Sequence, residues 1–255
     1  MIKSVLFAMT ATAAALMAAS APASAGQDLS DTGSRLMTLD NPENWQGTIL
    51  RTERGHLIGN PKADAQLIEF ISYTCPHCAD FTARGEPALE LALLMPGKMS
   101  LEVRPVIRNA LDLTVTLLAQ CGDPDGFKGR HQALMLSQGE WLGKAQGSPV
   151  SQRAIWSRGD KASRMNVASA LGLTRLLADR GQAQVELDAC VSNDAAARAL
   201  VNNGRADFEE FGVQGTPSFA LDGKLLEGAH NWDSLYPALS ARFAATPAVS
   251  LEQAD

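Results

Sequence analysis

The sequence predicts an α/β fold that is interrupted by a long, all-helical insertion. Residues 65–73 form a nearly continuous run of apolar and β-favouring residues, and a helical pattern and a second such run follow directly. Residues 111–192 then show helical signals and no strand pattern. A further helix, a hairpin and a last helix complete the chain, so the insertion separates two parts of one α/β domain.

The N-terminal residues have the three-part pattern of a secretory signal peptide. Lys3 is followed by apolar and small residues, and Ala23-Ser24-Ala25 provide an Ala-x-Ala motif, which predicts cleavage after Ala25. A retained membrane anchor is the alternative, but the apolar run is rich in Ala and Thr and breaks at Pro22. Export is therefore expected.

The composition limits the partners of the chain. Its 22 basic and 28 acidic side chains give a net charge of −6, with no basic patch or Arg-rich run. Nucleic acid and anionic membrane surfaces are therefore not expected as partners. Four cysteines are too few for a disulfide scaffold, but an even number suits an oxidising compartment.

The elements of the first α/β part each have a local signal. Residues 48–60 predict a short hairpin that turns near Gly55. Residues 65–73 predict a strand buried on both faces, and Pro76 suits the first turn of the helix that follows. Gly85 and Pro87 predict a kink near the middle of that helix. Residues 99–107 predict a strand parallel to the first.

The second α/β part begins with a helix over residues 193–211, with Asn193 or Asp194 as its cap and Gly212 as its end. A hairpin that turns at Asp222-Gly223 and a helix over residues 233–243 follow. The predicted division of the chain is a signal peptide (1–25), a flexible leader (26–45), the first α/β part (46–110), the helical insertion (111–192), the second α/β part (193–245) and a tail (246–255).

Cys75 and Cys78 lie at the junction between the first buried strand and its helix, separated only by Pro76 and His77. Unpaired N–H groups and the helix dipole stabilise negative charge there, so the pKa of Cys75 is expected to fall to about 3.5–7.5. An imidazolium at His77 would stabilise the thiolate further. Such a thiolate makes the corresponding disulfide a strong oxidant, while Cys78 can resolve a mixed disulfide.

A structural disulfide and a zinc site are the two other interpretations of this pair. A purely structural disulfide is disfavoured because the Cys-x-x-Cys ring is small and strained. A structural zinc site needs four ligands, usually as two pairs, whereas Cys121 and Cys190 are isolated and His56, His131 and His230 show no ligand spacing. No metal and no cofactor are therefore expected.

The segment "EFISYTCPHC", the helical insertion and the later "VQGTPSF" together resemble the DsbA-type periplasmic thiol:disulfide oxidoreductases. The resemblance extends over about residues 47–243 and implies a thioredoxin fold with an inserted all-helical subdomain. It implies that Cys75 is the exposed, attacking cysteine and Cys78 the resolving one. It also implies that Pro217 follows a cis bond beside them and that Thr216 offers backbone groups to a substrate.

The resemblance further places a buried acid beneath the cysteines at Glu69, where a raised pKa would let it exchange a proton with Cys78. An ordinary, solvated strand carboxylate is the alternative. The basic partner often paired with this acid is not evident, since Arg104 is the nearest basic residue on the next strand. Thr216 also departs from the valine of the best-known oxidases.

The resemblance implies an enzyme that introduces disulfides into reduced, exported proteins and is reoxidised by a membrane redox partner. Threonine before the proline is common in isomerase-like and reductase-like relatives, but the leader is too short for their dimerisation domain, so a monomeric oxidase is expected. A reductase or isomerase of the same fold and a non-catalytic module that binds copper or a client remain alternatives.

Cys121 and Cys190 both fall in the helical insertion, each at the end of a predicted helix. In an oxidising compartment we expect them to form a structural disulfide, and two buried free thiols are the alternative.

Overall fold

The computed structural model describes residues 45–244. The predicted signal peptide, nearly all of the predicted leader and the predicted tail lie outside these residues. Within the described range, no helix combines the length and apolar character that crossing a membrane requires.

A six-stranded mixed sheet forms the centre of the fold, with the strand order β1-β2-β4-β3-β5-β6. The strands are β1 (Ile49–Arg51), β2 (His56–Gly59), β3 (Ala65–Ile71), β4 (Met99–Pro105), β5 (Ser218–Leu221) and β6 (Lys224–Leu225). Strands β3 and β4 are parallel, and the other pairings are antiparallel. The predicted hairpins and the predicted parallel pair are confirmed.

The helix between the parallel strands begins at Pro76, as the sequence predicts, and its C-terminal end is π-helical instead of α-helical. Helix α1 (Pro76–Leu89) continues through Pro87 and passes into a π-helical segment (Glu90–Leu94). The wider π-helical turn follows three residues after the proline, which cannot donate a hydrogen bond. The irregularity in this helix is therefore the π-helical segment at its C-terminal end, whereas the kink expected near its middle stays a prediction.

Seven helices form the insertion: α2 (Ala110–Ala119), α3 (Phe127–Leu136), α4 (Gln138–Gly147), α5 (Val150–Trp156), α6 (Lys161–Ala170), α7 (Leu173–Ala178) and α8 (Gln184–Ser192). Helices α4 and α5 have no clear helical pattern in the sequence, because they contain glycine and polar residues and have a proline between them. The sequence also predicts one helix where α6 and α7 are separated at Gly172, whose φ of 75° ends α6.

The two faces of the sheet pack against different helices. Side chains alternate along β3, so Leu67, Glu69 and Ile71 face the main core with α1, whereas Phe70 faces a smaller cluster with Phe211 of α9 (Asp194–Phe211). The last helix, α10 (Trp232–Ala244), joins the main core. This arrangement is a thioredoxin fold with a helical insertion, as the sequence predicts.

Candidate active site

The two cysteines occupy different positions at the start of α1. Cys75 is the capping residue, with extended backbone angles (φ −99°, ψ 117°), and Pro76 is the first helical residue. The Cys75 carbonyl accepts the first helical hydrogen bond from the Cys78 N–H, at 3.1 Å. Both cysteines are free thiols in this structure. Cys75 therefore lies at the helix terminus and Cys78 one turn inside the helix.

The surroundings of Cys75 stabilise its thiolate. A hydrogen bond from the Cys78 side chain is the largest contribution that lowers the pKa of Cys75, which falls to about 4 although burial opposes it. Thr216 and the backbone N–H groups of Cys78 and His77 lower this pKa further. As a thiol, Cys75 donates to the Thr216 carbonyl at 3.0 Å. His77 thus contributes through its backbone, and an additional effect of its imidazole stays a prediction.

Cys75 is less accessible than the sequence suggested. Its residue exposure is 3 %, so the expectation of an exposed Cys75 is wrong for this structure. The reason is that the loop around Thr216 lies directly against the sulfur. Cys75 instead lines an open cavity of about 420 Å³ together with His77, Arg108 and Val213. A reactant would reach the sulfur through this cavity.

The loop before β5 brings Thr216 and Pro217 next to the two cysteines of the predicted site. The bond between Thr216 and Pro217 is cis. The Pro217 carbonyl accepts a hydrogen bond from Nδ1 of His230, at 2.8 Å. The Thr216 carbonyl faces Cys75, so the expected neighbourhood of Thr216, Pro217 and Cys75 is present in the described structure.

Cys78 has the opposite environment to Cys75. Its side chain is fully buried, and burial is the first cause that raises the pKa of Cys78 well above its usual value. The neighbouring Cys75 and the charge of Glu69 raise this pKa further. The backbone N–H of Ser72 lies 3.5 Å from its sulfur. The pair therefore combines a stabilised thiolate with a neutral thiol.

Glu69 lies on β3 beneath the cysteines and is completely buried. Neither carboxyl oxygen has a hydrogen-bond partner among the described residues. Burial raises the pKa of Glu69 well above its usual value, and the charge of Glu86 adds to the effect. The solvated carboxylate that was the alternative is therefore not what the structure contains.

Arg104 does not serve as the basic partner of Glu69. Glu69 pairs in register with Val103, so the side chain of Arg104, one residue further along β4, points to the opposite face. There it donates to Glu102 at 2.8 Å and to the buried Asp207 at 3.0 Å.

A buried polar network that sequence reasoning missed lies behind the cysteines. The Tyr73 hydroxyl lies 2.9 Å from Nδ1 of His131, and Nε2 of His131 lies 2.8 Å from Glu86. Thr82 also donates to Glu86, at 2.7 Å. Burial opposes ionisation of Glu86, but the charge and hydrogen bond of His131 outweigh it, and the pKa of Glu86 is lowered. This network links α1 to α3 of the insertion.

The segment 72–75 is also held by an acid that the sequence did not single out. Asp112, at the start of α2, accepts hydrogen bonds from the Ser72 hydroxyl at 2.6 Å and from the Tyr73 N–H at 2.8 Å. Burial raises the pKa of Asp112 to about 6, although these hydrogen bonds lower it. One sequence signal was available, because Asn109 caps α2 three residues before Asp112.

Cys121 and Cys190 form a disulfide in the structure, with an S–S distance of 2.07 Å and a Cα–Cα distance of 5.7 Å. Cys121 follows α2 and Cys190 lies in α8, so the bond joins two helices of the insertion. None of the contacts given above for Cys75 and Cys78 involves either residue.

Comparison with known proteins gives this site a context. A family model described as thioredoxin matches residues 51–241. A Rickettsia conorii protein described as a candidate protein-disulfide oxidoreductase is 27 % identical over 172 residues, which are 66 % of this chain and 53 % of that protein. The chain thus spans about half the length of the curated relatives it matches.

Solved structures agree on the fold. The crystal structure of a protein-disulfide isomerase from Novosphingobium aromaticivorans superposes with a TM-score of 0.71 at 40 % identity, covering 74 % of this chain and 97 % of that one. The α-DsbA1 of Wolbachia pipientis gives a TM-score of 0.60 at 19 % identity, covering 76 % of this chain and 94 % of that one.

Proposed function

The chain belongs to the thioredoxin family, and from this premise we propose that it is a DsbA-type thiol:disulfide oxidoreductase that introduces disulfides into exported proteins. The observation that carries the proposal is the difference between the two cysteines. The pKa of Cys75 is lowered to about 4, while burial raises that of Cys78 well above its usual value. A stabilised Cys75 thiolate favours the reduced pair, and so makes the Cys75–Cys78 disulfide oxidising.

The reaction begins with the oxidised pair. A substrate thiolate attacks the sulfur of Cys75, the bond to Cys78 breaks, and Cys78 leaves as a thiolate that takes up a proton. A second substrate thiolate then attacks the substrate sulfur of the mixed disulfide, and Cys75 leaves as a thiolate. The substrate loses two electrons and two protons. The cysteine pair gains both electrons, Cys78 takes up one proton, and the other proton goes to solvent because Cys75 stays a thiolate.

Glu69 is proposed as the group that gives a proton to Cys78 and later removes it. The carboxyl is protonated to a higher pH than usual because its pKa is raised. The charge of Glu69 also raises the pKa of Cys78, so the ionisation of one group affects the other, and we propose that a proton passes between them directly or through one water molecule. A protonated Glu69 can donate its proton to Cys78 when Cys78 leaves as a thiolate.

The cavity beside Cys75 is proposed as the entrance for substrate. Thr216 forms part of its wall, and its backbone groups would pair with an extended substrate segment. After each turnover the reduced pair needs an electron acceptor, for which we propose a membrane redox partner. From the family resemblance we also propose a periplasmic location and a monomeric state.

The test is oxidation of a reduced two-cysteine peptide by the oxidised protein. One peptide disulfide should form per protein disulfide consumed, and Cys75→Ala should abolish the reaction. Cys78→Ala cannot form the closed pair. A mixed disulfide between its Cys75 and a peptide with a single cysteine should therefore persist, because neither Cys78 nor a second peptide thiol is present to attack it. Failure of the wild-type protein to oxidise the peptide would refute the proposal.

Disulfide isomerisation is the second candidate, because the 40 % identical structure is described as a protein-disulfide isomerase. The reduced protein would then rearrange a substrate that carries wrong disulfides, without a net change in its thiol count. Reactivation of scrambled ribonuclease by the reduced form, faster than dithiol oxidation by the oxidised form, would favour this second function.

A further inference from the structure

Three helices of the insertion together hold every polar atom of Tyr73. Its N–H donates to Asp112 of α2, its hydroxyl pairs with His131 of α3, and its carbonyl accepts from Gln138 of α4. Tyr73 is only 1 % exposed and lies two residues before Cys75. The insertion therefore fixes the segment that leads into Cys75.

Gln138 differs from the other two because it also reaches Cys75 itself. Its side-chain amide donates to the Tyr73 carbonyl at 2.8 Å and to the Cys75 carbonyl at 2.9 Å. The Tyr73 carbonyl receives no other hydrogen bond within the described part of the chain. The side chain is 3 % exposed, so water cannot easily replace these bonds.

A sharp bend between two helices places this amide. Helix α3 ends and α4 begins at Ser137, whose hydroxyl donates back to the Ala133 carbonyl at 2.6 Å. The indole N–H of the buried Trp141 donates across the bend to the Leu134 carbonyl at 2.9 Å. Gln138 is thus the first residue of α4, and the hydrogen bonds of Ser137 and Trp141 hold the junction that precedes it.

We infer that Gln138 is a positioning residue that keeps the Cys75 sulfur where the thiolate is stabilised. Thiolate stabilisation requires the sulfur to lie within reach of the Cys78 side chain and of the N–H groups at the helix start. Within the strand-to-helix turn, the Cys75 N–H donates to the Ser72 carbonyl, and the Cys75 carbonyl accepts from the Cys78 and Ala79 N–H groups. The bonds from Gln138 add a connection from outside this turn, and through them the insertion contributes to the oxidising strength of the pair. The effect on oxidising strength rests on the proposed function, whereas the contacts of Gln138 do not depend on it.

The test uses Gln138→Met, which keeps the length of the side chain and removes both hydrogen bonds. The absorbance of the thiolate is followed against pH, and the equilibrium with glutathione is measured on the same protein. We expect the pKa of Cys75 to rise by about half a unit to one unit, the effect of losing roughly one hydrogen bond. The equilibrium constant for oxidising glutathione should fall about threefold to tenfold, in line with the same loss.

Two matched controls separate this effect from general destabilisation. Arg164 is a buried side chain of the insertion that also donates to two carbonyls, those of Val191 and Gly159. Arg164→Met should lower the melting temperature without moving the Cys75 titration. Gln182 donates to the Cys121 carbonyl at 3.2 Å, and Gln182→Met should leave the same titration unchanged.

A second variant keeps the inference open to refutation if Gln138→Met folds poorly. In Gln138→Glu, a protonated carboxyl retains one donor, whereas an ionised carboxylate would face two carbonyl oxygens. The difference between this variant and wild type in the equilibrium constant for oxidising glutathione should therefore increase as the pH rises from 5 to 8. An unchanged Cys75 titration in Gln138→Met, or a wild-type pH profile in Gln138→Glu, would overturn the inference. Because the thiolate titration needs no turnover, it stands even if the protein fails to oxidise a peptide.

Discussion

Replacing Glu69 should make the protein more stable and its chemistry slower. The carboxyl is completely buried, and neither oxygen has a partner among the described residues. A buried polar group without a partner costs about 1–3 kcal/mol. Glu69→Met removes that group while keeping an unbranched side chain, so it should raise the free energy of unfolding by about 1–3 kcal/mol at pH 8. For a chain of this size the melting temperature should rise by about 3–10 °C.

The pH dependence of this gain has a definite sign. The pKa of Glu69 is raised in the folded protein, so folding favours its protonated form. Its contribution to wild-type stability is fully present below the unfolded value of about 4.5 and is lost as pH rises through the folded pKa. The gain from Glu69→Gln, which removes the titration but keeps a polar group, should therefore increase from pH 4.5 upwards.

The assay is denaturant unfolding of the reduced protein at several pH values, together with stopped-flow exchange with a peptide. Exchange should slow because Cys78 loses its proton donor. Glu102→Gln is the matched control, since Glu102 lies on the adjacent strand but accepts hydrogen bonds from Arg104 and Thr52. This control should not stabilise the protein. If Glu69→Met leaves stability unchanged, or if the gain from Glu69→Gln is independent of pH, the carboxyl is solvated and the reasoning fails.

Three further predictions concern the remaining site residues. Replacing both Cys121 and Cys190 by Ala opens a loop with a sequence separation of 69, which should cost about 4 kcal/mol on the chain-entropy model. Calorimetry should show the lower melting temperature, while peptide oxidation by the folded fraction stays near wild type; a marked loss of that activity would contradict a purely structural role. His77→Ala should raise the pKa of Cys75 if the imidazole adds to the backbone effect, and an unchanged absorbance titration would assign the effect to the helix terminus alone. Pro217→Ala should alter the loop that lies against Cys75, so mixed disulfides with a peptide should accumulate or fail to form. Mass spectrometry of the reaction would detect either result, and normal formation and release of the mixed disulfide would contradict a role of Pro217 in substrate docking.

Local patterns were sufficient for most elements of the fold. The cap at Asn193 accepts a hydrogen bond from the Ala196 N–H at 3.0 Å, and Gly212 ends α9 with a φ of 71°. Both features depend on residues within one or two turns, which the sequence shows directly. The same holds for the position of Cys75 at a helix start, because Pro76 and the preceding apolar run are adjacent to it.

The contacts that complete the site depend on residues that are far apart in sequence. Glu86 and His131 are separated by 45 positions, and Gln138 lies 65 positions after Tyr73. A glutamate and a histidine in separate amphipathic helices give no local sign of pairing, since each resembles an ordinary surface residue. The burial of Cys75 was missed for the same reason, because it depends on a loop 141 positions later in the chain.

The separation of the two cysteines into different roles follows from one turn of helix. At the helix terminus, the Cys78 side chain, the Thr216 side chain and the first backbone N–H groups of α1 favour a charged Cys75 sulfur next to the cavity. One turn later, Cys78 lies in the core above Glu69, where burial favours a neutral sulfur. Any change that moves the helix start relative to the sheet would alter both environments together. The hydrogen bonds of Asp112 and Gln138 join residues 72–75 to the insertion and oppose such movement.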